Sequence, residues 1–176
     1  MSWFDRLTGR ERGDVDAGSA AIRHIAAALA ALPSQEARVL AGFAYLLGRV
    51  AHADRVISDA ESARMEELVR EMGGVPAAQA TLVVEIAKAQ NRLFGHVENF
   101  QVSRDLREAA DEAQRRRFLD CLFAVSAAEN GISAEEEAVV RQIASELGFT
   151  HNDYVTARAA WSEHRTVMRN LQRKPD

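Results

Sequence analysis

Apolar residues along this chain recur every three or four positions, which is the spacing of a helix that buries one face. The clearest series follows Pro33, where apolar residues stand at Val39, Phe43, Leu46, Leu47 and Val50. Ten glycines and three prolines among 176 residues leave few breaks in the pattern. It predicts an all-α fold, a compact single-domain bundle of seven or eight helices without strands.

Capping and turn residues predict where these helices begin and end. The predicted helices run over about 19–32, from Ser34 to the loop at Arg55, from Ser58 to Gly73, from Pro76 to about Phe94, over 111–129, from Ser133 to Leu147, and from Thr150 through Trp161 as far as Leu171. Residues 95–110 are expected to form a turn and a short helix.

The pattern occurs twice. Adding 75 to each number from 43 to 73 aligns the first stretch with a second one, without a gap. Identical residues then coincide at Phe43 and Phe118, Leu47 and Leu122, Ile57 and Ile132, Ser58 and Ser133, Glu61 and Glu136, and Gly73 and Gly148. Two copies are too few for a solenoid, so they predict two internally repeated helical halves within one domain.

Composition and charge narrow the class of protein. Hydrophobic residues make up 47% of the chain and charged residues 27%. The net charge is −4, and because nucleic-acid-binding domains are usually basic, no nucleic-acid partner is expected. The single cysteine, Cys121, favours a reducing compartment, and no apolar run reaches the roughly 20 residues of a membrane span. We expect a cytoplasmic protein, with a peripheral position at the inner face of the membrane as an alternative. Residues 1–18 are expected to form a short amphipathic N-terminus and flexible linker, 19–171 the helical domain, and 172–176 a tail.

A Ser-x-x-Glu sequence opens the second helix of each copy, at Ser58–Glu61 and at Ser133–Glu136. In such a capping box the serine hydroxyl accepts from the third helical N–H, and the glutamate accepts from the serine N–H. Each cap contributes about 1 kcal/mol. Helix capping alone therefore explains both glutamates.

The acids that precede these caps are harder to explain. Asp54 and Glu129 each lie near the C-terminal end of a predicted helix, where the helix dipole disfavours negative charge. A hard cation held between Asp54 and Glu61, and another between Glu129 and Glu136, would supply a reason. Such a site suits Ca²⁺ or Mg²⁺, with a transition metal as a third option, whereas solvated acids are the alternative interpretation.

Other chemistry finds little support in the sequence. No nucleophile motif, phosphate-binding glycine loop or dinucleotide fingerprint is present, so we expect no enzyme activity and no organic cofactor. Cys121 stands among apolar residues and is expected to be a small buried hydrophobe. The oligomeric state is left open by the sequence.

Two kinds of surface could contact partners. Trp3, Phe4 and Leu7 form an apolar patch that either touches a membrane or a partner, or folds back onto the bundle. Basic clusters stand at Arg115–Arg117 and along the C-terminal segment at Arg165, Arg169, Arg173 and Lys174. They are either solvated faces or sites for an acidic partner or anionic lipid.

Both loops resemble a known motif. The TerB family of tellurite-resistance proteins carries roughly Ala-Asp-Gly-x-Ile/Val-Ser-x-x-Glu, often in two related halves. This chain has Ala53-Asp54-x-x-Ile57-Ser58-x-x-Glu61 and Ala128-Glu129-Asn130-Gly131-Ile132-Ser133-x-x-Glu136. The resemblance covers about 34–160.

The resemblance implies an all-helical, non-enzymatic protein of tellurite resistance and general stress response. It also implies metal binding through Asp54, Glu61, Glu129 and Glu136, and work in a membrane-associated complex. Three departures matter. Arg55 replaces a glycine in the first loop, Glu129 replaces an aspartate in the second, and Gly131 of the second loop is displaced by one position. We therefore expect a metal-responsive binding module, with a metal-free adaptor or scaffold for a membrane-associated protein complex as the alternative.

Overall fold

A computed structural model describes residues 3–8, 20–51, 57–90, 93, 99–128 and 131–165, apart from the side chain of Arg6. Within these ranges it has nine α-helices: α1 Trp3–Leu7, α2 Ala20–Ala30, α3 Ser34–Ala51, α4 Asp59–Glu71, α5 Ala77–Lys88, α6 Asn99–Ala109, α7 Glu112–Ala127, α8 Ala134–Glu146 and α9 His151–Ala159. A 3₁₀ turn, Ser162–His164, follows α9. The described residues contain no strand, which confirms the predicted all-α class.

Helix α3 is the centre of the bundle. It contacts α2, α5, α6, α7 and α8, and its residues are buried on every side between Leu40 and Leu47. Gly42 leaves room for the Leu106 side chain of α6, because a Cβ atom at position 42 would lie 3.1 Å from it.

The predicted capping boxes are present. Ser58, Ser133 and Thr150 each stand at the N-cap of a helix and accept from the N–H three residues later. Helices α4 and α8 span 59–71 and 134–146, so both ends are 75 positions apart, as in the sequence repeat. The local signals thus placed these helices correctly.

The two copies of the repeated segment meet through a pair of aligned residues. The rings of Phe43 on α3 and Phe118 on α7 stack with their centroids 4.2 Å apart and an interplanar angle of 12°. Both rings are buried in the one hydrophobic core. Stacked rings contribute roughly 0.5–1.5 kcal/mol beyond the burial of their area.

Three elements differ from the predicted ones. The short helix expected within 95–110 is α6, which spans eleven residues and buries Val102, Ser103 and Leu106. The last helix was predicted through Trp161 towards Leu171, but α9 ends at Ala159, and 166–171 lie outside the described residues. A 3₁₀ turn follows α9 instead, where His164 O accepts from Ile132 N over 2.8 Å. The described part of the fourth helix, α5, ends at Lys88 rather than at Phe94, and 94 lies outside the described residues.

Helix α1 packs onto the bundle. Trp3, Phe4 and Leu7 are 4%, 6% and 2% exposed and belong to the hydrophobic core. The Arg38 guanidinium of α3 lies 5.5 Å from the centre of the Phe4 ring. This arrangement corresponds to the folded-back alternative for the N-terminal patch, while membrane contact through these residues stays a prediction.

Candidate functional site

Glu61 and Glu136 hold equivalent places at the first turns of α4 and α8. The backbone N–H of Ser58 donates to Glu61, and that of Ser133 donates to Glu136 Oε2 over 2.8 Å. In return Glu61 N donates to Ser58 Oγ over 3.3 Å and Glu136 N to Ser133 Oγ over 3.1 Å. Both carboxylates therefore cap a helix, and this capping fixes their positions.

The acids predicted to complete two cation sites are Asp54 and Glu129. Both lie outside the described residues, as does Arg55. Among the residues that the structure does describe, no group of three or more His, Cys, Asp or Glu side chains could hold a metal ion. Metal binding by all four acids therefore stays a prediction. The structure gives the positions of two of them, Glu61 and Glu136.

The two capped loops have different electrostatic surroundings. At the first, Lys88 Nζ of α5 lies 3.3 Å from Asp59 Oδ1, in an exposed pair. At the second, Glu137 binds Arg165 through two hydrogen bonds of 2.7 and 2.8 Å, and Arg158 Nη1 donates to it over 3.0 Å. Burial works to raise the pKa of Glu137, but the two guanidinium groups lower it overall.

The main chain also distinguishes the second loop. Ile132 N donates to His164 O over 2.8 Å, and Ile132 forms a parallel bridge with Arg165. The aligned residue in the first copy, Ile57, has no such bridge among the described residues. Ser62, aligned with Glu137, instead donates its hydroxyl to Ser58 O over 2.7 Å. The segment after α9 is thus fastened to one of the two loops.

A buried ion pair links three helices and was missed by the sequence analysis. Arg49 of α3 donates to Glu146 of α8 over 2.6 and 3.3 Å, with side chains 7% and 11% exposed. Ser103 of α6 donates to the same carboxylate over 2.5 Å, and Gln142 donates to it over 2.9 Å. Burial works to raise the pKa of Glu146, but these hydrogen bonds, first that of Arg49, lower it overall. A structural role accounts for this group.

The predicted basic cluster at Arg115–Arg117 divides among three contacts. Arg115 donates to Leu147 O at the end of α8 and lies 5.7 Å from the Phe149 ring centre. Arg116 lies 5.1 Å from the same ring centre and 3.5 Å from Asp153. Arg117 is exposed and forms no ion pair with any carboxylate in the described part of the chain. Two of the three guanidinium groups are therefore structural.

Cys121 is fully buried on α7, with its Sγ 3.6 Å from Leu68 O. Burial, aided by the neighbouring Asp120, raises its pKa to about 12. A thiol with this pKa is protonated at neutral pH and a poor nucleophile. The group therefore packs the core, as the sequence predicted.

No described helix is long and apolar enough to cross a membrane.

Comparison with known proteins identifies the family of this chain. The family model for tellurite resistance protein TerB matches residues 39–159, which is more than half of the 176 residues and includes both acid–Ile-Ser–Glu loops. No curated protein and no solved structure matches the chain. On its sequence and its all-helical structure, the chain belongs to the TerB family.

Proposed function

We propose that this chain is a non-enzymatic protein of the tellurite-resistance and stress response that acts as a metal-responsive binding module. The observation that supports the proposal is the duplicated loop, in which Glu61 and Glu136 are held at equivalent places by Ser58 and Ser133. A fixed carboxylate loses little freedom when it binds a cation. Family membership supplies the tellurite context.

Each proposed site combines a capping glutamate with a second acid. An ionised carboxylate has about four acceptor positions, so one carboxylate can hold more than one partner. The helix N-terminus repels a cation, so a second acid must outweigh that field. Asp54 and Glu129, at the ends of the preceding helices in sequence, are the proposed second acids. Oxygen ligands of this kind suit Ca²⁺ or Mg²⁺, whose shells are completed by carbonyl groups and water.

Thermal melting across a series of divalent chlorides tests the proposal. At a metal concentration of about 100 times Kd, binding adds about 2.7 kcal/mol to the free energy of unfolding. For a chain of this length that corresponds to a rise in Tm of roughly 5–10 °C. Asp54→Asn together with Glu129→Asn should abolish the rise. Purified protein without metal in elemental analysis, and with no ion-dependent shift in Tm, would contradict the proposal.

The capping boxes provide a matched control. Glu61→Gln and Glu136→Gln keep the cap, since glutamine also serves in a capping box, but they remove the charge that a cation needs. Ser58→Ala and Ser133→Ala do the opposite, because they weaken the cap and keep both carboxylates. A metal site requires the glutamine variants to lose the ion-dependent shift and the alanine variants to retain it.

The two loops should not bind equally. Arg55 neighbours Asp54 in sequence, so the first loop carries an added positive charge next to its proposed ligand. In the second loop the nearby guanidinium groups of Arg158 and Arg165 are already paired with Glu137. The single change Glu129→Asn should therefore lower the ion-dependent shift more than Asp54→Asn does.

A metal-free adaptor is the second candidate function. Its supporting observation is that helix capping gives Glu61 and Glu136 a structural role. Phe100, 60% exposed on α6, offers an apolar contact for a partner protein. The adaptor requires a Tm that is indifferent to divalent ions and a partner complex that Phe100→Ser weakens. A Phe100→Ser protein that keeps both its fold and its complex would count against this candidate.

A further inference from the structure

The residues that follow α9 contact the second loop, and we call residues 160–165 the strap. Its main chain is closed by local hydrogen bonds, from Trp161 N to Arg158 O over 2.9 Å and from His164 N to Trp161 O over 3.0 Å. The half-buried Trp161 packs against the hydrophobic core. The strap is therefore a closed turn that packs on the bundle.

Two contacts fasten the strap to the second loop, one on each side of the capping box Ser133–Glu136. At the residue before the box, Ile132 N donates to His164 O over 2.8 Å. At the residue after the box, Glu137 accepts two hydrogen bonds from Arg165 over 2.7 and 2.8 Å. The strap thus restrains the backbone that carries the box from both ends.

The first half has no such fastening among the described residues, although its chain continues in the same register. The residue aligned with His164 is Ala89, whose carbonyl accepts from Leu93 N over 3.0 Å in its own helical turn. Ser62 stands where the second half has Glu137, and its hydroxyl donates to the main chain of its own capping box over 2.7 Å. The helical unit folds without a strap, so folding of the unit alone does not explain the strap of the second half.

Charge does not explain it as a cation site either. Arg158 and Arg165 bring two positive charges to the second loop, and Glu137 cancels one of them. An attachment that favours a cation must therefore act through geometry. A restrained ligand loses less freedom on binding, and contacts that orient a metal-binding side chain typically change metal affinity by about 10–100-fold.

We infer that the strap positions the second loop for a divalent cation, so that an attached strap raises the affinity of Glu136 for the ion. The inference rests on the proposed metal function, in which Glu136 is a ligand. Ile132, Glu137 and Arg165 are positioning residues, which hold the box and do not contact the ion. The coupling is reciprocal, because the factor that the strap adds to ion affinity is the factor that the ion adds to strap attachment.

Calorimetric titration with calcium chloride, and then with magnesium chloride, tests the effect of the strap on the ion. All variants are made in the full chain with Asp54→Asn, so that the first loop does not contribute. Glu137→Gln and Arg165→Gln both loosen the strap, but they change the local charge in opposite directions. Positioning predicts that both weaken ion binding about tenfold. Charge alone predicts weaker binding for Glu137→Gln and stronger binding for Arg165→Gln.

Arg141→Gln is the matched control for these variants. Arg141 is exposed on α8 and forms no ion pair within the part of the chain that the structure describes. Its replacement removes one positive charge from the same helix and leaves the strap contacts in place, so ion affinity should change less than about twofold. Unchanged amide signals of α2 to α5 show that each variant is folded.

Hydrogen exchange of the Ile132 amide tests the effect of the ion on the strap. This N–H exchanges only when it leaves His164 O, so saturating ion should slow its exchange about tenfold in the same background, the factor expected for affinity. Glu136→Gln should remove the slowing. The amide of Ala110, which donates to Leu106 O over 2.8 Å at the end of α6, is the reference for any general stabilisation.

The outcomes separate this inference from the function on which it rests. If the Asp54→Asn chain binds neither ion, the proposed metal function fails at the second loop and the inference fails with it. If that chain binds an ion and the two strap variants bind it equally well, or shift its affinity in opposite directions, only the inference is overturned. Ion binding that slows Ile132 no more than Ala110 overturns it as well.

Discussion

Replacing Glu146 by glutamine should lower the free energy of unfolding by about 3 kcal/mol. The carboxylate is only 11% exposed, and the Arg49 side chain that it neutralises is 7% exposed. Glutamine keeps the size of the side chain but leaves the guanidinium charge buried without its counter-ion. Removing one partner of a buried pair typically costs about 3–5 kcal/mol, and we take the lower end because glutamine can still accept hydrogen bonds from Ser103 and Arg49.

The repeat supplies a matched control for this prediction. Glu71 aligns with Glu146 at the same last turn of its helix, yet it is 55% exposed and lies 3.8 Å from Arg70. An exposed pair contributes little, so Glu71→Gln should cost less than about 0.5 kcal/mol. Urea denaturation of the two variants and the unchanged chain measures both effects. Equal costs at the two positions would refute the reasoning.

The pH dependence of the same pair has a definite sign. Because the folded protein lowers the pKa of Glu146, its ionised form stabilises the fold at pH values above its unfolded pKa of about 4.3. This contribution declines as the pH falls through the lower folded pKa. The difference in stability between the unchanged chain and Glu146→Gln should therefore shrink below pH 4 or so. A double variant with Arg49→Met should regain part of the loss, since no buried charge then remains.

The remaining predictions concern local structure. Ser133→Ala should lower the free energy of unfolding by about 1 kcal/mol through loss of the α8 cap, as measured in urea; no change would show that the cap is not needed. Cys121 should resist iodoacetamide at pH 8 in the folded protein and react once urea unfolds it, given its pKa of about 12; rapid labelling of folded protein would contradict its burial. Gly148→Ala should lower the free energy of unfolding by about 1–2 kcal/mol, because φ is 85° there and a Cβ atom would lie 2.7 Å from Arg107 Nε. Thermal melting measures this loss, and an unchanged Tm would contradict the prediction.

Sequence reasoning succeeded where the determinant is local. The capping boxes at Ser58, Ser133 and Thr150 depend on residues three positions apart, so their helices were placed to within a residue or two at the start. The last helix failed for the opposite reason. Arg165 pairs with Glu137, 28 positions away, and the local sequence gives no sign of that contact.

The site was predicted less completely than the fold. Helical periodicity treats Arg49 and Glu146 as ordinary surface charges, because nothing in the sequence indicates that residues 97 positions apart form a pair. The capping roles of Glu61 and Glu136 were predicted because the Ser-x-x-Glu sequence occurs in both copies.

The main-chain hydrogen bond between Ile132 and His164 has a mechanical consequence for the two loops, which share their Ile-Ser-x-x-Glu residues. Tension applied at Arg165 would load the second loop through this bond and through the ion pair with Glu137. Ile57, the aligned residue of the first loop, has no such bridge among the described residues. Two loops with one shared motif therefore differ in their mechanical coupling to the rest of the fold.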